Sequence, residues 1–152
     1  MLPIKRILVP TDFSENSHPA FDAAVELARH HGARIDVIHA VLPITVAAPV
    51  GSADLPVNLD VYREAVLEDA REALSRLVEG RKPADLDLHS EVVWGQPAKA
   101  IVDFADDNGA DLIVIGTRGA TGLSRFVTGS VTEKVVRLAE VPVLTIQSAG
   151  EG

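Results

Sequence analysis

The sequence predicts a single open α/β domain, a parallel sheet of five strands in the order 3-2-1-4-5 with helices on both faces. Short β-branched apolar runs alternate with segments of helical period in the succession β-α-β-α-β-α-β-α-β. Neither an internal repeat nor a domain-sized linker interrupts that pattern, and a Gly-rich stretch joins the fourth strand to the fourth helix. In such sheets ligands sit outside the carboxyl ends of the strands, where the strand order reverses. With the order 3-2-1-4-5, the ends of strands one and four are neighbours at that reversal.

Ile4 to Val9 reads as the first strand, stopped by Pro10, which has no N–H to give to a ladder. Thr11, Asp12 and Ser14 then offer helix caps, and Phe21, Ala24, Val25 and Ala28 mark one face of a helix ending near Gly32. Pro19 would remove a donor at the fifth position of a helix capped by Ser14, so the regular helix is expected from Ser17 after a looser turn. Arg34 to Val41 reads as a buried second strand.

Leu42 to Asn58 differs in kind, with Pro43, Pro49, Gly51, Ser52, Pro56 and a single charge at Asp54. So long a connection is usually a functional cover or poorly ordered, and a mobile cover over the ligand mouth is the expectation. From Leu59 to Glu79, a stripe of Tyr62, Val66, Ala70, Ala73, Leu74, Leu77 and Val78 predicts a surface helix. Leu86 to Val93 reads as strand three, and Pro97 suits the first turn of a helix that buries Ala98, Ile101, Val102 and Ala105 and closes at Gly109. Leu112 to Ile115 is the fourth strand, Val131, Val135 and Leu138 carry the helical spacing after it, and Val143 to Gln147 is the fifth strand. The domain is expected over residues 1–148, with a frayed tail at 149–152.

Composition narrows the functional classes. The chain has 152 residues, 47 % hydrophobic and 24 % charged, which suits one ordinary globular domain. It has no cysteine, which excludes disulfides, thiolate zinc sites and cysteine nucleophiles. A net charge of −8 argues against nucleic acid as a partner. No apolar run is long enough to span a membrane, and the opening MLPIKRILVPTDF lacks a signal h-region, so a cytoplasmic location is expected.

One segment runs against the acidic whole. From Gly116 to Arg137 the chain carries Arg118, Arg125, Lys134 and Arg137 against Glu133 alone. Gly116, Gly119, Gly122 and Gly129 lie in the same stretch, with Ser130 directly after the last of them. A glycine-rich turn between a parallel strand and a helix N-terminus presents backbone N–H groups without a Cβ in the way, and the helix dipole adds about half a positive charge. Such a turn suits phosphate. It is neither a Walker A loop, since no Gly-Lys-Ser/Thr follows, nor a GxGxxG fingerprint.

The spacing Gly116-x2-Gly119-x9-Gly129-Ser130 resembles the signature of the nucleotide-binding branch of the universal stress protein family. ILVPTDFSENS, HAV, VWGQPAKAIVDFA, DLIVIGTRGATGLSRFVTGSVTEKVV and VPVLTI extend the resemblance over nearly the whole chain. It implies a Rossmann-like fold of the adenine nucleotide alpha-hydrolase type, ATP binding together with magnesium, and a nucleotide-responsive role in the stress response. By the same resemblance Gly116, Gly119, Gly129, Ser130 and Val131 wrap phosphates and ribose, with Ile115 at the strand end before them. Asp12, beside Pro10 and Thr11, faces ribose and adenine, and Val41 lies by the adenine. Two copies are expected to pair antiparallel through Val143 to Ile146, an edge too apolar to leave bare.

Charge limits what Asp12 can do. Two anions about 4 Å apart repel by roughly 4 kcal/mol at an effective dielectric near 20. Asp12 therefore accepts from ribose hydroxyls or adenine, or holds magnesium with the phosphates. Arg118 and Arg125 can neutralise phosphates, and Thr117, Thr121, Ser124 and Thr128 are further hydroxyls on the loop. No catalytic residue is assigned. His18, His30, His31, His39 and His89 are scattered without metal-ligand spacing, and no nucleophile elbow or histidine-backed serine is present. A slow ATPase on the same fold and a nucleotide-free dimerisation module are the alternatives.

Overall fold

Ile7, Leu8 and Val9 are each at most 1 % exposed, because the strand that carries them has neighbours on both edges and helices on both faces. The computed structural model describes residues 3–43, 58–118 and 130–148. Along the chain come β1 (Arg6–Pro10), a 3-10 turn (Glu15–Ser17), α1 (His18–His31), β2 (Arg34–Val41) and α2 (Leu59–Arg81). β3 (Leu88–Trp94), α3 (Pro97–Asn108), β4 (Leu112–Gly116), α4 (Ser130–Leu138) and β5 (Val143–Ile146) follow. The strands pair in parallel in the order β3-β2-β1-β4-β5, as the sequence predicts.

Strand alternation divides the core into two layers. Ile7 and Val9 pack with Phe21, Ala24, Val25 and Ala28 of α1 and with Leu74 and Val78 of α2. Leu8 packs on the other face with Ala98, Ile101, Val102 and Ala105 of α3 and with Val135 of α4. Burying one Leu, Ile or Val side chain is worth about 1.5–3 kcal/mol, so these layers hold the helices more firmly than intrinsic propensity does. Below them, at the amino end of the sheet, the buried Asp36 carboxylate pairs with Arg6 and, at 3.0 Å, with Arg34.

Several element boundaries depart from the sequence reading for local reasons. β1 includes Pro10. The Thr11 N–H donates to the Ile38 carbonyl at 2.8 Å, so alternation turns the Pro10 nitrogen towards β4. The β1–β4 pairing covers Ile7 with Leu112 and Leu8 with Ile113, so the missing donor falls where the two strands have parted. That parting opens the crevice at the reversal of strand order. β3 begins at Leu88 because the residues before it form a turn in which the Leu86 N–H reaches the Pro83 carbonyl at 3.4 Å.

α1 starts as Pro19 requires. Ser17 is its N-cap, Pro19 lies in the first turn, and the 3-10 turn fills the gap after Ser14. α4 differs more. Thr132 and Val135 are buried, whereas Leu138, expected on the inner face, is 53 % exposed. The cover expected at Leu42–Asn58 and the tail at 149–152 fall largely or wholly outside the described residues. Among the described residues no helix is long and apolar enough to cross a membrane.

Candidate functional site

A cavity of about 270 Å³ lies at the carboxyl ends of the central strands. β1 and the turn after it give Pro10, Thr11, Asp12 and Ser17, and β2 gives His39 and Ala40. β4 and its continuation give Ile115, Gly116 and Arg118. The first turns of α3 and α4 close the remaining sides with Pro97, Ile101, Ser130, Val131 and Thr132. One wall is therefore apolar, and the rest combines hydroxyls, one carboxylate, one imidazole and one guanidinium.

The β1 wall is built by a compact polar turn. Phe13 has φ +66°, a left-handed backbone rare for a bulky side chain. Its N–H donates to Thr11 Oγ1 at 3.1 Å, and that hydroxyl lies 3.0 Å from Ser17 Oγ. Ser17 Oγ also donates to the Ser14 carbonyl at 2.7 Å. Asp12 Oδ1 accepts from the Ser14 N–H at 3.0 Å, so the carboxylate closes its own turn while it borders the cavity. Asp12 is solvent-exposed and Thr11 is buried.

The opposite wall depends on the absence of a side chain. A Cβ on Gly116 would stand 3.0 Å from the Asn16 carbonyl oxygen, closer than side chains normally approach main chain. Any larger residue there would push β4 and the turn before α1 apart. The Gly116 carbonyl accepts from Thr132 Oγ1 at 2.7 Å, and the Thr117 N–H donates to the Ile146 carbonyl at 2.9 Å. The first bond holds the end of β4 against the first turn of α4, where Ser130 stands exposed at the helix start, and the second holds it against β5.

Of the residues singled out from the sequence, Pro10, Thr11, Asp12, Ile115, Gly116, Arg118, Ser130 and Val131 border this one cavity. Val41 does not. Its side chain packs with Leu67 and Ala70 of α2, and its carbonyl accepts from the Gly95 N–H at 3.0 Å. β2 gives His39 and Ala40 to the cavity, while Val41, one step further, packs its side chain against α2. Gly119 and Gly129 lie outside the described residues, as do Gly122, Arg125 and the hydroxyls of Thr121, Ser124 and Thr128.

The structure adds His39, Ala40, Ser17, Pro97, Ile101 and Thr132 to the site. His39 and Ala40 had a signal in the sequence: they end the strand adjacent to β1, and strand ends face the crevice. Among the described residues no group of three His, Asp or Glu side chains is placed to hold a metal ion. Among the described residues Asp12 is the single carboxylate on the cavity.

Comparison with known proteins fixes the kinship. The sequence model of the universal stress protein family matches residues 3–147. A universal stress protein of Methanocaldococcus jannaschii, MJ0531, is 36 % identical over 145 residues, covering 94 % of this chain and 82 % of that one. Among solved structures, UspA from Lactobacillus plantarum superposes with a TM-score of 0.77 at 27 % identity, covering 96 % of this chain and 99 % of that one. The universal stress protein from Archaeoglobus fulgidus in complex with dAMP superposes with a TM-score of 0.64 at 28 % identity, covering 95 % and 99 %. The chain belongs to the universal stress protein family.

Proposed function

We propose that the cavity binds an adenine nucleotide, ATP in the first instance, and that occupancy is the signal this stress protein transmits. The observation that carries the reading is the meeting of Asp12 and Ser130, from opposite ends of the chain, on one cavity at the reversal of strand order. A carboxylate suits ribose hydroxyls, while a helix start with a free-standing hydroxyl and a nearby guanidinium suits phosphate. Pro10, Ala40, Ile101 and Ile115 offer the apolar surface that a base needs. The dAMP complex of the Archaeoglobus fulgidus relative supports a nucleoside monophosphate as the shared core of the ligand.

Magnesium fits this arrangement as a shared ion. It commonly takes one or two protein carboxylates and completes its shell with phosphate oxygens and water. With Asp12 on the ribose, the phosphates and water would carry the ion, with neutralisation of the phosphates as its contribution. Gly119 and Gly129 would let main chain approach those phosphates, as the family signature implies.

We also propose that two copies pair through β5. β5 has β4 as its one neighbour in the sheet, and Leu144 on it is 38 % exposed. Val136 and Leu138 of α4 are more than half exposed. An apolar edge of this kind is normally covered.

Titration calorimetry tests the binding site. Wild-type protein is expected to bind ATP, and Asp12→Ala with Ser130→Ala to weaken it at least tenfold in protein that circular dichroism shows to be still folded. Equal affinities for wild type and the double variant would place the ligand elsewhere.

A further inference from the structure

His39 reaches the Asp12 turn from a neighbouring strand. Its Nδ1–H donates to the Thr11 carbonyl at 2.8 Å, and its ring lies 4.1 Å from the Phe13 ring, centroid to centroid, with the planes 31° apart. The same imidazole borders the cavity. Phe13 is the residue in the left-handed conformation, which persists in a bulky side chain only when the surroundings impose it. The bonds from Phe13 to Thr11, from Ser14 to Asp12 and from Ser17 to Ser14 are all made within the turn and the 3-10 turn after it. His39 instead ties the turn to β2, through a polar bond on the residue before Asp12 and an aromatic contact on the residue after it.

We propose that His39 is a positioning residue: it holds the left-handed turn that presents Asp12 to the nucleoside end of the ligand, and so sets affinity for nucleosides rather than for phosphate. The proposal rests on the nucleotide reading of the cavity. A turn that holds its binding conformation about a tenth of the time weakens apparent affinity tenfold, because the ligand selects the competent fraction. The phosphate side, around Gly116 and Ser130, is held by the bond from Thr132 of α4 to β4, which does not involve the imidazole.

Three variants separate the contacts. His39→Asn keeps a donor near the position of Nδ1 and loses the ring, His39→Phe keeps a ring and loses the donor, and His39→Leu loses both. Calorimetric titration is made with adenosine, ATP and inorganic tripolyphosphate, and amide exchange is followed at Phe13, Ser14 and Ile113 to Ile115. The expected result is a roughly tenfold loss of adenosine and ATP affinity in His39→Leu, intermediate losses in the other two, and tripolyphosphate binding within twofold of wild type. Exchange at Phe13 and Ser14 should quicken in the same order while Ile113 to Ile115 stay protected. Unchanged adenosine affinity in His39→Leu, or an equal loss for tripolyphosphate, would overturn the proposal. Wild-type protein that binds none of the three ligands would overturn the nucleotide reading itself and the proposal with it, and needs no variant to detect.

Discussion

Gly116 shows how a single missing side chain shapes the site. Its α-carbon faces the Asn16 carbonyl so closely that a methyl group would meet that oxygen at 3.0 Å. The β4 side is not free to yield, because the glycine's own carbonyl is bonded to Thr132 and the Thr117 amide to Ile146. Gly116→Ala is therefore expected to cost about 1–2 kcal/mol of stability, in the range of mild overpacking, measured as a lower denaturant midpoint at unchanged slope. A variant as stable as wild type would mean that the turn before α1 moves away without cost. The sequence displayed this glycine as part of a phosphate signature, and its local packing role was not visible. Close approach of main chain across 100 residues leaves no trace in spacing. Val41 illustrates the converse: a motif names a residue on a strand but not what its side chain packs against, here Leu67 and Ala70 of α2.

At the scale of elements, most of the fold was legible because strands and helices here alternate cleanly in apolar period. Ala98, Ile101, Val102 and Ala105 are buried on α3 as their spacing predicts, and Gly109 ends the helix with φ +64°. The misplacements share one cause, that tertiary neighbours decide the ends. Pro10 remains in β1 because its missing donor faces the gap beside β4, and Leu138 is exposed because α4 packs through Thr132 and Val135. A surface pair links the end of α1 to the turn before β3: Arg29 Nε lies 2.9 Å from Asp85. The hydrogen bond from Arg29, aided by its charge, holds the Asp85 carboxyl below its ordinary pKa of 3.8. A lowered folded pKa contributes stability that is complete above the unfolded value and is lost as pH falls through the folded one. Asp85→Asn should thus reduce the denaturant midpoint slightly near neutral pH, and the difference should fade as acid protonates the Asp85 carboxyl and shrink in high salt. A difference that persisted in acid would mean the pair acts through packing and not through charge.

For the whole molecule, the sheet order and the meeting of the two chain ends could be inferred from the sequence, since parallel α/β topology leaves few alternatives. Much of the cavity could not. His39, Pro97 and Thr132 fall inside stretches that carry the family resemblance, but nothing there singles them out, and they reach the site because β2 ends there and α3 and α4 begin there. Assembly belongs to this scale too. If β5 forms the contact between copies, Leu144→Lys should convert a dimer to a monomer at micromolar concentration in sedimentation velocity, with β4 and β5 still paired in the subunit. Wild type sedimenting as a monomer would remove that contact from the account. The central claim is that the crevice at the sheet's reversal holds an adenine nucleotide, and thermal unfolding of nucleotide-free protein with and without MgATP tests it most directly. At about a hundred times the dissociation constant the ligand should stabilise the fold by about 2.7 kcal/mol, a rise of several degrees in Tm for a chain of this size, largely abolished in Gly129→Val. Superimposable melting curves up to millimolar MgATP would contradict it.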